Sequence, residues 1–105
     1  MTPRGGRLAV VVSRAGDWPR VVALARAARG AGAEVAIFAM DEAVAALAAD
    51  AAGRAALDHD DCELVACATS AHERGLGADD VGVLLGSQDD HAAIVHRADR
   101  VVAFT

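Results

Sequence analysis

Two cysteines, Cys62 and Cys67, are the residues of this chain best suited to covalent chemistry. They bound a mostly apolar six-residue run that predicts a β-strand. Their odd spacing points the side chains to opposite faces of a sheet, and roughly 16 Å of extended chain separates them. A disulfide requires Cα atoms within about 7 Å of each other. The two thiols therefore cannot pair within this strand, and in a reducing compartment each is either buried filler or a reactive group.

Cys67 is the better candidate for a reactive thiol. It is predicted at the carboxyl end of the strand, just ahead of a helix that begins at Thr69 or Ser70. Ligands of parallel sheets bind beyond the carboxyl ends of the strands, and the free amides of a helix start favour a thiolate there. His72 and Arg74 lie in the same turn and could add positive charge. The alternative interpretation is that Cys67 is a small buried hydrophobic residue, and its position alone leaves both open.

The remaining polar clusters are explained without a metal ion. The run from His59 to Cys62 contains ligand residue types, but four adjacent residues seldom point at one ion, so the run is interpreted as a solvated loop and Cys62 as a partly buried structural thiol. The acidic pair and histidine from Asp89 to His91 fit the first turn of a helix capped by Ser87. His96 is interpreted as a surface or interface residue of that helix. We therefore predict no metal site.

Several common chemistries are disfavoured by the sequence. The segment from Gly30 to Gly32 follows a helix and not a strand, so it cannot form a dinucleotide-binding turn, and there is no Walker-type phosphate loop. A cysteine phosphatase loop requires five residues between cysteine and arginine, whereas six separate Cys67 from Arg74 and Glu73 takes the arginine position. The chain has no lysine, which excludes Schiff-base chemistry and the lysine of a receiver domain. We predict no cofactor.

The composition of the chain bears on its binding partners, its location and its assembly. The net charge is −5 and no basic run is present, so direct binding to nucleic acid or to an anionic membrane is not expected. The only apolar run near the start, Leu8–Val12, is too short for a signal peptide core or a membrane span, so we expect a cytoplasmic protein. There are 27 alanines but only three aromatic residues, so each buried position contributes little volume and the core of one subunit is thin. A domain of 105 residues with such a core is expected to bury more surface as a homo-oligomer.

The elements that must position Cys67 alternate along the chain. Strands are predicted at Leu8–Val12, Glu34–Met40, Cys62–Cys67 and Val101–Phe104, and Val81–Leu85 is either a fourth strand or an extended segment. The first predicted helix starts at Asp17 or Trp18, has Pro19 in its first turn and ends at Gly30 and Gly32. The second starts at Asp41, and Gly53 interrupts or ends it; its buried stripe is Val44, Leu47, Ala48 and Ala51. The third starts at Ser70 in a capping box with Glu73 and is kept short by Gly75 and Gly77, and the fourth starts at Ser87.

This order of apolar strands and helices predicts the fold class. We expect a single α/β domain over residues 1–105, with a mostly parallel sheet of four to five strands flanked by helices and joined by right-handed crossovers.

With these elements in place, the chain resembles the DsrE/DsrF-like family of sulfur-transfer proteins over nearly its whole length. The resemblance is carried, in order, by the opening apolar strand and by the segments Arg29–Val35, Phe38–Val44, Val65–Leu76 and Ala98–Phe104. It implies a small Rossmann-like domain that assembles into trimers or hexamers, and a persulfide carried on the cysteine matched by Cys67. This chain has no C-terminal cysteine arm, so a second protein would have to donate or accept the sulfur.

Two functions follow as hypotheses. In the first, the protein is a sulfur carrier or sulfurtransferase subunit in which Cys67 accepts sulfane sulfur and passes it to a partner thiol. The supporting binding residues are then Ser13 and Arg14 from a neighbouring strand end, and Thr69, Ser70 and His72 around the helix start. Simpler interpretations are that Ser70 is a helix cap worth about 1 kcal/mol and that His72 is exposed and idle. In the second hypothesis, the same fold is a non-catalytic homo-oligomeric binding or assembly module.

Overall fold

The described part of the protein, residues 6–105 of a computed structural model, is built on one parallel sheet. Its strands are β1 Arg7–Val12, β2 Glu34–Ala39, β3 Cys62–Cys67, β4 Leu84–Gly86 and β5 Arg100–Phe104. They lie in the order β4-β3-β2-β1-β5, and every neighbouring pair is parallel. Four strands are confirmed to within one residue at each end. The fourth strand is shorter and later than Val81–Leu85 predicts, because Val81 ends a helix and is fully buried there. Residues 1–5, which the predicted domain includes, lie outside the described residues.

Six α-helices and one 3-10 turn connect the strands. The turn is Ala15–Asp17, and the helices are α1 Trp18–Gly30, α2 Glu42–Ala49, α3 Ala51–Ala56, α4 Ala68–Glu73, α5 Ala78–Val81 and α6 Gln88–Arg97. As predicted, α1 starts with Trp18 and Pro19 in its first two positions, since proline has no amide hydrogen to lose there. The class of fold is therefore α/β, with helices flanking a five-stranded parallel sheet.

The two faces of the sheet pack into two separate clusters. The larger cluster joins α1, α2, α4 and α5 to the side chains of one face, and its largest members include Trp18, Ile37 and Leu47. The smaller cluster lies on the other face under α6 and consists of Ala9, Phe38, Val65, Cys67 and Ile94. Successive residues of a strand point to opposite faces, so each buried strand contributes to both clusters. This explains why the strands are apolar without alternation.

The helix predicted to follow β2 is in fact two helices, α2 and α3, separated at Asp50. The carboxylate of Asp50 accepts a hydrogen bond from the amide N–H of Gly53 at 3.0 Å and so caps α3. The prediction that Gly53 interrupts or ends the helix is wrong, because the chain has already turned at Asp50 and Gly53 lies inside the new helix. Ala51 is consequently exposed and Ala48 half-buried, contrary to the predicted stripe. The other two members of that stripe are buried as predicted.

The start of α4 also differs from the prediction. The helix begins at Ala68, directly after Cys67, so Ser70 lies in its first turn and not at its cap. The predicted capping box of Ser70 with Glu73 is therefore wrong. Ser70 is instead 5% exposed, and its hydroxyl oxygen accepts a hydrogen bond from the backbone N–H of Asp41 at 2.8 Å. A local sequence pattern could not anticipate a partner 29 residues away.

None of the helices in residues 6–105 is long and apolar enough to cross a membrane.

Candidate functional site

Cys67 occupies the junction between β3 and α4. It is the last residue of the strand and the N-cap of the helix, with extended backbone angles. Its side chain is 6% exposed and belongs to the smaller cluster, with Phe38 and Val65 among its neighbours. Cys62 belongs to the periphery of the larger cluster, so the two thiols point to opposite faces, as predicted. Cys67 therefore combines two environments, an apolar cluster around the side chain and a helix start at its backbone.

The loops after β1 and β2 border this end of the sheet. Ser13 is half-buried, its amide donates to the carbonyl of Phe104 at 3.0 Å, and its own carbonyl accepts from the amide of Ala43 at 3.2 Å. These bonds tie the end of β1 to β5 and to the first turn of α2. Arg14, the next residue, is exposed. Met40 follows β2 and packs against the cluster that contains Cys67.

The loop between β2 and α2 carries the most unusual backbone of the site. Asp41 has φ 51° and ψ −137°, and it is the one non-glycine residue with positive φ among residues 6–105. It holds the predicted N-cap position of α2, but its side chain makes no capping hydrogen bond. Its amide instead donates to Ser70, the buried serine of α4. This bond links the ends of β2 and β3 and fixes the loop that lies beside Cys67.

The other predicted binding residues lie on the exposed side of α4. Thr69 and His72 are both exposed, as predicted for His72. Arg74 donates from Nη1 to the carbonyl of Ser70 at 3.1 Å and lies 3.8 Å from the carboxylate of Glu73. The structure thus brings Ser70 into the loop framework around Cys67. Thr69, His72 and Arg14 instead present exposed side chains.

Two features of the site were missed from the sequence. Asp90 on α6 lies next to Gly86, the residue that pairs with Cys67 across β3 and β4. His91 stacks on Phe38, with ring centroids 4.9 Å apart and an interplanar angle of 10°. The predicted cap of α6 at Ser87 is confirmed, since Ser87 accepts from the amide of Asp89 at 3.2 Å, and Asp90 completes a capping box that was not predicted. What the spacing could not indicate is that this helix start lies beside β3.

The opposite edge of the sheet holds Cys62 and a strong ion pair. Burial raises the pKa of the Cys62 thiol, which is half-buried as predicted. The guanidinium of Arg29 bonds to Asp61 at 2.8 Å and lowers the pKa of that carboxyl below its usual value. Within residues 6–105, no three histidine, cysteine or acidic side chains come together in a way that could hold a metal ion.

Two open clefts mark the surface, and Cys67 lines neither of them. One, of about 360 Å³, is lined by charged residues at the starts of β1, β2 and β3, among them Arg7, Glu34 and Glu63. The other, of about 400 Å³, is lined by Cys62, Leu84 and residues of α3. Both clefts border the starts of strands, or the β4 edge near Cys62, and not the junction that holds Cys67.

The fold and the position of Cys67 define a small parallel α/β protein with a cysteine at a strand-to-helix junction. A family model, the DsrE/DsrF-like family, matches residues 7–104, nearly the whole chain. The chain belongs to this family, which is associated with sulfur transfer and whose members often partner with other sulfur-transfer proteins. Comparison with curated proteins and with solved structures finds no match.

Proposed function

We propose that this protein is a cytoplasmic sulfur carrier that holds sulfane sulfur as a persulfide on Cys67. In loading, the Cys67 thiolate attacks the outer sulfur of a donor persulfide, R–S–SH. A new S–S bond forms to Cys67, the donor's S–S bond breaks, and R–S⁻ leaves. In unloading, an acceptor thiolate attacks the same outer sulfur and Cys67 leaves as the thiolate. One S–S bond forms as another breaks, so neither step consumes an oxidant or a reductant.

The observation that carries this proposal is the place of Cys67 at the end of β3 and the start of α4, in a family associated with sulfur transfer. Cys67 is the N-cap of α4, and free backbone amides at a helix start favour a thiolate or persulfide anion, although the thiol itself makes no capping hydrogen bond. Arg14 and His72 are exposed side chains near the same edge that suit contact with an anionic sulfur group. Ser13 and Thr69 complete the proposed binding set as polar groups of the adjoining loop and helix.

The low exposure of Cys67 bears on the kind of donor. At 6% exposure the thiol reacts through local opening, so a small reagent in excess loads it slowly. A protein-bound donor can hold its persulfide at the carboxyl edge of the sheet and offset the cost of local opening with its own contacts. We therefore propose protein partners as donor and acceptor.

Sulfur loading can be measured by intact mass after incubation with inorganic polysulfide. The wild-type protein and Cys62→Ser should each gain one sulfur atom that a reducing agent removes, whereas Cys67→Ser should gain none. Cys62→Ser is the matched control because it removes the other thiol of the chain. Equal loading of Cys67→Ser, or no loading of any variant, would contradict the proposal and favour a non-catalytic binding module of the same fold.

We also propose that the protein is a homo-oligomer, a trimer or hexamer. Two large apolar side chains are exposed on the two edge strands of the sheet, Leu84 at 65% on β4 and Val101 at 47% on β5. Val101 pairs with Ala9, so it lies on the face that α6 covers. Light scattering over a range of concentrations tests this state, and a monomer at every concentration would contradict it.

A further inference from the structure

The space beside Cys67 on β4 is occupied by a carboxylate. Cys67 and Gly86 are Cα partners in the parallel pair of β3 and β4. Paired residues of neighbouring parallel strands point to the same face and lie about 4.8 Å apart. A side chain at Gly86 would therefore stand next to the Cys67 thiol. A Cβ at that place would lie 2.8 Å from Oδ2 of Asp90 and 2.6 Å from Cγ1 of Val65. The absence of a side chain at Gly86 therefore leaves space for the carboxylate of Asp90.

Asp90 is an exposed residue, but two hydrogen bonds orient its carboxylate in that space. Its Oδ2 accepts a hydrogen bond from the amide of Ser87 at 2.7 Å and a second from the Ser87 hydroxyl at 3.2 Å. These bonds close the first turn of the ten-residue helix α6. The helix itself is anchored by Ile94 in the cluster that contains Cys67. The carboxylate is therefore held at a constant position relative to β3.

We propose that Asp90 restrains the reactivity of Cys67 by disfavouring its thiolate. A negative charge held over the Cα partner of Cys67 repels a second negative charge on the thiol sulfur, and at such short range this repulsion persists in part even through water. The neutral thiol carries no such penalty, so fewer molecules hold the reactive form at neutral pH. The inference rests on the proposed function in taking Cys67 as the reacting thiol.

Asp90 is distinguished from the other charged groups around Cys67 by its placement. Those groups are, on α6, Asp89 and His91; on α4, His72, Glu73 and Arg74; and at the ends of β1 and β2, Arg14 and Asp41. Like Asp90 itself, these residues are exposed, except for the half-buried His91, whose ring packs flat on Phe38. Asp90 alone in this set fills the space over the Cα partner of Cys67.

The test is the pH profile of Cys67 alkylation by iodoacetamide, a neutral reagent, in a Cys62→Ser background. Asp90→Asn keeps an oxygen that can accept from Ser87 but removes the charge. We expect its rate at neutral pH to rise about threefold to tenfold, while the plateau at alkaline pH, where every thiol is ionised, stays the same. Asp89→Asn is the control, since it removes an equal charge from the same turn and should change the rate little.

Each outcome of the alkylation experiment either supports or overturns the proposal. An unchanged profile for Asp90→Asn, or equal shifts in the two variants, would overturn the proposal. A rise that also raises the plateau would show a change of access instead of charge and would overturn it too. If Asp90→Asn fails to fold, the pair Asp90→Gln and Asp90→Glu replaces it, because both residues suit the third position of a capping box and differ only in charge. Alkylation needs no sulfur donor, so failure of sulfur loading leaves this result readable.

Discussion

The hydrogen bond between Ser70 and Asp41 should be a measurable part of the stability of this protein. Ser70→Ala removes the acceptor and leaves the amide of Asp41 without its partner in a loop whose φ of 51° is costly for a residue with a side chain. A lost hydrogen bond of this kind costs about 1 to 2 kcal/mol. Alanine gains up to about 0.5 kcal/mol of helix propensity over serine, so the net loss should be about 1 kcal/mol.

The matched control is Thr69→Ala, one residue earlier in α4. Thr69 is exposed, and the change gives a similar gain in helix propensity without removing a buried contact. The difference in unfolding free energy between the two variants should therefore return the full 1 to 2 kcal/mol estimated for the hydrogen bond. Urea titration followed by the fluorescence of Trp18, which is 2% exposed and is the one tryptophan of the chain, provides the assay. Protein concentration must be held constant in case assembly contributes.

The result that would refute the reasoning is a Ser70→Ala variant as stable as Thr69→Ala. In that case, water would have to replace the serine at the Asp41 amide, and the two strand ends would not depend on this contact. A larger loss, above about 3 kcal/mol, would point to collapse of the loop itself. The thermal midpoint offers a second check, since 1 kcal/mol corresponds to a shift of about 4 to 8 °C in a domain of this size.

Three further expectations concern the same framework. Asp41→Gly should be more stable than Asp41→Ala by about 1 kcal/mol in urea titration, because only glycine adopts positive φ without strain; the reverse order would contradict the conformation. Gly86→Ala should lower the unfolding free energy by about 1 to 3 kcal/mol, because the added methyl group would be crowded, whereas Gly30→Ala, with open space around it, should not lower it. Equal effects of the two changes would refute the close packing at Gly86. Arg29 lowers the pKa of Asp61 in the folded state, so the stabilisation from this ion pair is present above the ordinary pKa of the carboxyl and is lost as pH falls through the lowered pKa. The unfolding free energy should therefore drop more between pH 5 and pH 2 in the wild type than in Arg29→Gln. Parallel curves for the two proteins would argue against the Arg29–Asp61 ion pair.

Local sequence patterns were sufficient for the strands and for most helix starts. The apolar runs around Val10, Ile37 and Val65 must lie in strands covered on both faces, since no other short element buries consecutive β-branched residues. The sequence around Ser87 was enough to place the cap of α6, because the serine and the acidic residues that follow it lie within one turn. Strand-end geometry also placed Cys67 at the carboxyl edge, since parallel strands all end on the same side.

Patterns failed where a competing partner lay far away in the chain. The spacing of Ser70 and Glu73 matches a capping box, but in the structure Cys67 is the N-cap of α4. The hydroxyl oxygen of Ser70 instead accepts a hydrogen bond from the amide of Asp41. The break at Asp50 likewise depends on Trp18, whose indole donates to its carboxylate at 3.0 Å across 32 residues. Neither bond has a signature within a window of a single helix or strand.

The sequence by itself determined the alternation of elements, the α/β class and the separation of the two thiols, because these depend on periods of two and 3.6 residues along the chain. Only the tertiary structure decided the strand order, and with it the neighbours of Cys67. Because β4 lies beside β3, Gly86 becomes the partner of the cysteine and Asp90 enters its surroundings from a helix more than 20 residues away. Strand order is set by long-range packing, which local periodicity does not encode, and so the charge next to the thiol could only be found in the folded molecule.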